Sequence, residues 1–186
     1  MNTKRESVLS ASKELFSLYG YRKVSMNEIA AKAGVTKKTI YTYFSDKNEL
    51  IKCILMDEIN KMKRLADSVY KKDISFEDKI HEVIMLQLDY RNSSRLIANY
   101  LSEYEEGKLN IYKDGENIFN KTIQSELKLR LDVAIEEGYI KKFNTDVAAF
   151  LIYKIYVALM FELDYDIDKE EVIDNIMSIL RVWLLK

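Results

Sequence analysis

The sequence contains no proline, only five glycines and a single cysteine, Cys53, among its 186 residues. One cysteine cannot form an internal disulfide, which is the usual situation in a reducing cytoplasm. Few folds other than all-helical ones can do without both proline and glycine. The single histidine, His81, excludes a histidine-rich zinc site, and the sequence predicts no metal and no cofactor.

Long apolar segments are also absent. The longest apolar runs, such as residues 157–161 and 182–185, are far shorter than the ~20 residues that a membrane-spanning helix requires. The first fourteen residues are charged throughout, so we expect no secretory signal segment. The sequence therefore predicts a cytoplasmic protein with no membrane partner.

The overall net charge of −1 conceals an uneven distribution of charge. Residues 1–47 carry nine basic and four acidic side chains, a net charge of +5, whereas the remainder carries 20 basic and 26 acidic ones, a net charge of −6. Such an asymmetry indicates that the two parts meet different partners. We predict one domain over residues 1–47 and a second over residues 48–186.

Apolar residues recur at intervals of three and four along most of the chain, which is the period of an α-helix. Gly20 and Gly34 end the first two helices. Polar residues cap the starts of the second, third and fourth helices, namely Ser25 with Glu28, Thr36, and Asp46 with Glu49. Five more helical segments follow, at about residues 75–91, 93–107, 116–137, 145–163 and from 168 onward. Asn144 or Thr145 caps the eighth. The prediction is an all-α fold of nine helices.

Residues 25–44 have the spacing of a helix-turn-helix. Ala30 and Ala33 allow two helices to approach closely, Gly34 supplies the sharp turn, and Val35 and Ile40 point inward. The polar side chains left on the outer faces of the third helix are Thr36, Lys37, Lys38, Thr39, Tyr41, Thr42 and Tyr43. The second helix of such a motif enters the major groove of DNA.

The positions of three lysines favour the same function. Lys37, Lys38 and Lys47 lie in first helical turns, where a cation opposes the helix dipole at a cost of roughly 0.3–1 kcal/mol each. A nearby phosphate backbone would convert that cost into an attraction. The alternative is an ordinary solvated face. We interpret the lysines and the neighbouring exposed tyrosines as a DNA-binding surface.

The segment AAKAGVTKKTIYTYFSDKNEL resembles the DNA-binding signature of the TetR family of transcriptional regulators. The resemblance is specific over residues 5–51, and AIEEGYIKKFNTDVAAFLIY is similar to the penultimate-helix region of that family. It implies nine helices, a homodimer, binding of a double-stranded DNA operator by the third helix, and a pocket for a small-molecule effector in the remainder.

Carried over by position, the resemblance also implies roles for single residues. Phosphates would be contacted by Ser25, Tyr43 and Lys47. Bases or their flanks would be faced by Thr36, Lys37, Lys38, Thr39 and Tyr41. Two positions depart from the family pattern, because Lys38 stands where many members have glycine and Tyr43 stands where histidine is common.

The last two predicted helices are apolar on more than one side, and a helix of this kind must be covered on both sides. A second subunit related by two-fold symmetry is the simplest cover. The residues predicted at this dimer interface are Val157, Phe161, Ile176, Leu180 and Trp183. The alternative is a three-layer core within a monomer.

Nine of the 13 tyrosines lie after residue 47. Tyrosine combines an apolar ring with a polar tip and suits a cavity for an amphipathic ligand, although aromatic residues pack more often in an ordinary core. The predicted ligand-binding residues are Tyr100, Tyr104, Phe119 and Tyr156. Together these features predict a repressor that leaves its operator when a small amphipathic molecule binds.

Two other functions stay open at this point. One is a constitutive DNA-binding or adaptor protein without an effector, and the other is a helical enzyme. The enzyme is disfavoured because no set of nucleophile, base and orienting group and no glycine-rich phosphate loop is recognisable.

Overall fold

The computed structural model describes the backbone of residues 3–105, 112–161 and 168–183, with all their side chains except those of residues 91, 100–102, 104–105, 112–120, 157 and 159–161. These described residues form nine α-helices: α1 Lys4–Tyr19, α2 Met26–Ala33, α3 Lys37–Tyr43, α4 Lys47–Tyr70, α5 Phe76–Ser93, α6 Arg95–Glu105, α7 Tyr112–Glu136, α8 Thr145–Phe161 and α9 Lys169–Trp183. The predicted nine-helix, all-α fold is confirmed. None of the described helices is long and apolar enough to span a membrane.

The ends of the first three helices follow the predicted pattern. The Ser25 hydroxyl accepts a hydrogen bond from the Glu28 backbone N–H at 3.2 Å, and the Glu28 carboxylate accepts one from the Ser25 backbone N–H at 2.7 Å. Gly34 ends α2 in the left-handed conformation, with φ +66°. Thr3 and Glu6 form a second capping box at the start of α1, which the sequence analysis did not identify.

The later helix boundaries differ in detail. At the start of α4 the Asp46 carboxylate accepts from the Glu49 backbone N–H at 2.8 Å as predicted, while the Glu49 carboxylate accepts from the backbone N–H of Ser45 and not of Asp46. Asn144, rather than Thr145, caps α8, because its side-chain oxygen accepts from the two following N–H groups of the helix. The helix α7 begins at Tyr112, earlier than the predicted start near residue 116.

The chain divides into two compact units, of which the first comprises Met1–Arg64 and Arg91–Gly115. Within it, α1 contacts α2, α3 and α6, and α2 contacts α3. The apolar side chains buried in this unit include Val8, Phe16, Val24, Ile29, Ile40, Phe44, Leu50, Ile51 and Ile54. This unit thus contains part of α4 and all of α6 in addition to residues 1–47, the stretch predicted to bind DNA.

The second unit comprises Leu65–Tyr90 and Glu116–Lys186. Its apolar core is formed by side chains from α5, α7, α8 and α9; the buried members are Leu88, Leu131, Ala134, Ile140, Ala148, Ala149, Val172, Ile173, Met177 and Leu180. The guanidinium of Arg130 pairs with the carboxylates of Asp67 and Glu126 and lies 4.5 Å from the centre of the Tyr70 ring. The last turns of α4 are therefore joined to α7 by charge as well as by packing.

Two adjacent aromatic residues provide a test of how α3 is held. Phe44 is 1% exposed, whereas Tyr43 is 41% exposed. Replacing Phe44 with alanine should lower the free energy of unfolding by ~3–5 kcal/mol, because a large buried ring leaves a cavity. Replacing Tyr43 with alanine should change it by only about 0.5 kcal/mol. Urea denaturation measures both, and equal losses would contradict this arrangement.

Candidate nucleic-acid interface

The recognition helix α3 buries two of its apolar side chains. Ile40, on the helix, and Phe44, at its carboxyl-terminal end, are almost completely buried and lie four residues apart on one face. Lys37, Lys38 and Thr42, on other faces, are exposed. Because the inner face is fixed by contacts with α1 and α2, the basic side chains are held at the surface of the first unit.

Tyr41 and Tyr43 are exposed to 47% and 41%. The hydroxyls of the threonines form hydrogen bonds within α3 and its cap. Thr36 caps α3 by accepting from the Thr39 backbone N–H at 3.1 Å, and the hydroxyls of Thr36 and Thr39 lie 2.9 Å apart. The Thr42 hydroxyl donates to the backbone carbonyl of Lys38 at 3.1 Å.

Ser25 stands at the start of α2, exposed at the surface. Its oxygen accepts from the Glu28 N–H, and a hydroxyl has one O–H of its own to donate. Hydrogen bonds from Ser25 hold the pKa of the Glu28 carboxyl below its usual value. The larger of these comes from the Ser25 hydroxyl itself, so its single O–H is engaged by the Glu28 carboxylate, and the phosphate contact of Ser25 stays a prediction.

The ammonium of Lys47 contacts protein carbonyls, whereas the family resemblance implied a contact with phosphate. Its ammonium donates to the backbone carbonyls of Tyr21 at 2.8 Å, Val24 at 2.9 Å and Arg22 at 3.4 Å. It also lies 4.3 Å from the centre of the Tyr21 ring. An ammonium group has three N–H donors, so these carbonyls account for all of them. Lys47 holds the loop between α1 and α2 instead of presenting a free charge to phosphate.

The physical reason is that a cation in a first helical turn can be compensated by any suitable acceptor, and protein carbonyls serve as well as phosphates. The charge of Lys47 is partly withdrawn from water, and this burial is the main cause that lowers its pKa. The DNA contact of the exposed Lys37 and Lys38 stays a prediction, whereas the ammonium of Lys47 finds its acceptors within the protein. Arg22 and Lys23 are two exposed cations of the same loop, two and three residues after the helix-ending Gly20, and the sequence analysis gave them no role.

Cys53 is half-buried on α4. The Arg5 guanidinium approaches its sulfur at 3.9 Å. Burial is the main influence on the thiol and raises its pKa. A raised pKa disfavours the reactive thiolate, so the structure gives this cysteine no chemical role.

The predicted ligand-binding residues are only partly visible. The side chains of Tyr100, Tyr104 and Phe119 lie outside the described residues. Tyr156 lies on α8, and burial raises the pKa of its phenol to about 12. Among the described residues, no group of three histidine, cysteine or carboxylate side chains could hold a metal ion.

The predicted interface residues point mainly into the second unit. Leu180 is 7% exposed within its own chain, and Ile176 and Trp183 pack against the same core. The side chains of Val157 and Phe161 lie outside the described residues. The exposed apolar residues of α9 are instead Ile179 and Val182, at 59% and 80%. The outer face of α9 also carries Asp174, Ser178 and Arg181, so α9 is amphipathic and not apolar on all sides as the sequence predicted.

Comparison with known proteins agrees with the geometry of α2 and α3. The family described as bacterial regulatory proteins, tetR family, matches residues 8–54. The HTH-type transcriptional regulator YhgD of Bacillus subtilis is 27% identical over 186 residues, covering 98% of this chain and 95% of its own. The helix-turn-helix region of the chain, residues 8–54, is that of the TetR family. The chain is a DNA-binding transcriptional regulator and not an enzyme.

Solved structures share this fold over nearly the whole length of the chain. A TetR-family transcriptional regulator from Pectobacterium atrosepticum has a TM-score of 0.72 at 17% identity and covers 96% of this chain and 90% of its own. A gamma-butyrolactone receptor has a TM-score of 0.60 at 18% identity, with 98% and 88% covered. At these identities the structures establish a shared fold.

The different positions of the lysines predict different mutant behaviour. Lys47→Met should lower the free energy of unfolding by about 1.5–3 kcal/mol, because three carbonyls lose a charged donor. It should weaken binding to all duplexes without changing the salt dependence of binding. Lys38→Ala should leave stability within about 0.5 kcal/mol of the parent and cost ~1–3 kcal/mol at one base position.

These variants are compared by urea denaturation and by fluorescence anisotropy with labelled duplexes at several salt concentrations. Lys37→Ala is the matched second lysine of α3. A Lys47→Met protein of unchanged stability, whose salt slope fell by about one per subunit, would restore Lys47 as a phosphate contact.

Proposed function

We propose that this transcriptional regulator binds its operator as a homodimer and leaves it when an amphipathic small molecule occupies the second unit. The observation that carries the proposal is an uncovered apolar surface on the last two helices. The operator is a duplex with two half-sites, one for α3 of each subunit, and the protein acts in the cytoplasm.

The apolar surface runs along one side of α8. Its exposed members recur at the spacing of a single helical face; they are Val147, Phe150, Leu151 and Ile155. On α9, Ile179 and Val182 are exposed three residues apart. A monomer rarely leaves so many large apolar side chains in water, and a two-fold interface covers the same face on both subunits. We therefore assign the interface to these residues, in place of the buried Leu180.

Reading of DNA by α3 follows from its exposed side chains. Lys37 and Lys38 can donate to guanine O6 and N7, which is the most frequent specific contact of a basic side chain in the major groove. Tyr41 and Tyr43 carry hydroxyls that can donate to phosphates or base edges. Two α3 helices of a dimer reach successive major grooves when half-site centres are ~34–36 Å apart.

An effector response is supported by the tyrosines of α8 and by the gamma-butyrolactone receptor, a ligand-binding protein that shares this fold. Tyr153 is buried and Tyr156 is partly buried, so that α8 offers an apolar wall with phenolic groups inside the second unit. A phenol with a raised pKa remains a neutral hydrogen-bond donor throughout the physiological range. This chemistry suits a molecule with an apolar body and one polar acceptor. A constitutive regulator without effector is the competing proposal.

Selection of duplexes from a random library tests the dimeric arrangement. The parent protein should recover DNA with two related half-sites and should sediment as a dimer. The variant carrying Leu151→Glu and Ile179→Glu should sediment as a monomer, because each charge would be buried at the interface. Its affinity for the selected duplex should fall by about a hundredfold or more, since the second half-site no longer adds avidity.

Leu18→Glu is the matched control, because it places the same charge on a half-exposed leucine of α1. It should leave sedimentation unchanged. A double variant that remained dimeric would refute this interface, while selection of a single half-site would refute paired reading.

The effector proposal is tested by thermal shift with acyl-CoAs, bile-type lipids and hydrophobic drugs. A compound present at 100 times its Kd should stabilise the protein by about 2.7 kcal/mol. The same compound should weaken operator binding, and Tyr156→Phe should weaken the compound's binding if the phenol donates to it. Compounds that stabilise the protein but leave operator affinity unchanged would favour a constitutive regulator.

A further inference from the structure

One peptide group of the first unit is bonded to opposite charges at its two ends. The carbonyl of Tyr21 accepts from the Lys47 ammonium at 2.8 Å. The N–H of the same peptide, which belongs to Arg22, donates to both carboxylate oxygens of Glu103 at 3.1 and 3.3 Å. A peptide carries its partial positive charge at N–H and its partial negative charge at C=O, so both ions are favourably placed.

The carboxylate comes from α6, far away in sequence from the helix-turn-helix. A second polar side chain of α6 acts on the neighbouring backbone, because the Asn99 amide donates to the carbonyls of Phe16 at 3.2 Å and Ser17 at 2.8 Å. These are two of the last four carbonyls of α1, and the Ser17 carbonyl has no partner within its own helix. Asn99 thus caps α1 from another helix.

The close approach of Glu103 to the loop requires a residue without a side chain at position 20, which is Gly20. Its φ is +83°, a conformation that residues with a side chain rarely adopt. A Cβ at this position would lie 2.4 Å from a carboxylate oxygen of Glu103. The glycine therefore serves both the backbone turn and the space through which the carboxylate reaches the Arg22 N–H.

We propose that Glu103 and Asn99 are positioning residues for DNA recognition. Glu103 holds the loop between α1 and α2 and Asn99 holds the end of α1 that leads into it, while Lys47 holds the loop from α4. The loop ends at Val24, whose carbonyl is bound by Lys47, and the next residue is Ser25, the cap of α2. Fixing the loop therefore fixes the start of α2 and, through the contact of α2 with α3, the angle of the recognition helix.

This role differs from that of a DNA contact. Glu103 carries a negative charge, which phosphate would repel, so it can favour operator binding only through the backbone it holds. Directional hydrogen bonds to main-chain groups also resist small displacements that apolar contacts would tolerate. The inference rests on the DNA-binding function proposed above and names residues of α6 that this function requires.

The test compares Glu103→Ala and Glu103→Gln with the parent protein on a duplex selected from a random library. Glu103→Ala should weaken binding by about tenfold, because a charge-assisted hydrogen bond is lost from the loop. The slope of affinity against salt should stay unchanged, and exchange of the Arg22 amide proton should accelerate. Glu103→Gln keeps an acceptor oxygen and should bind within about threefold of the parent.

Asn99→Ala provides an independent variant that should also weaken binding without changing the salt slope. Arg95→Ala, an exposed position on the same helix, is the matched control and should behave as the parent. In a double-mutant cycle, Lys47→Met and Glu103→Ala should be less than additive, since both act on one peptide group.

Faster Arg22 exchange in Glu103→Ala with unchanged operator affinity would overturn the proposal while leaving DNA binding by this regulator intact. Equal weakening of operator binding by Glu103→Gln and Glu103→Ala would overturn the proposal as well, because the acceptor oxygen that glutamine retains would then contribute nothing to binding. Failure of the parent protein to select any duplex would remove the operator proposal and this one together.

Discussion

The orientation of the helix-turn-helix depends on how a short loop, residues 20–24, is held between charged side chains. Lys47 binds its carbonyls from the start of α4, and Glu103 binds one of its N–H groups from α6. Its conformation is held by side chains at the start of α4 and on α6, and α2 begins where that conformation ends.

Much of the first unit could be predicted because its signals are local. Capping by Ser25 and Thr36, the left-handed Gly34 and the inward Ile40 all depend on residues within four positions of each other. The role of Lys47 could not be predicted in this way. Its position in a first helical turn indicated that an acceptor was needed, but the sequence does not distinguish phosphates from carbonyls about 25 residues earlier.

The apolar composition of the helices in the second unit could be predicted, but not which face of each helix meets which neighbour. The apolar content of α8 and α9 indicated that both sides of these helices are covered, and the structure shows that Leu180 and Ile176 face the chain's own core. Ile179 and Val182 then remain for a partner. When apolar residues occur on more than one side of a helix, its period does not determine which side meets which neighbour, and only the packed core decides.

The central claim is that the exposed side chains of α3 and the cap of α2 meet duplex DNA. Backbone amide resonances followed during titration with a selected duplex test this most directly. The account predicts that the largest shifts fall on residues 36–43 and on Ser25, with the exposed faces of α8 and α9 unaffected. Shifts concentrated on α8 and α9, with α3 unchanged, would contradict it.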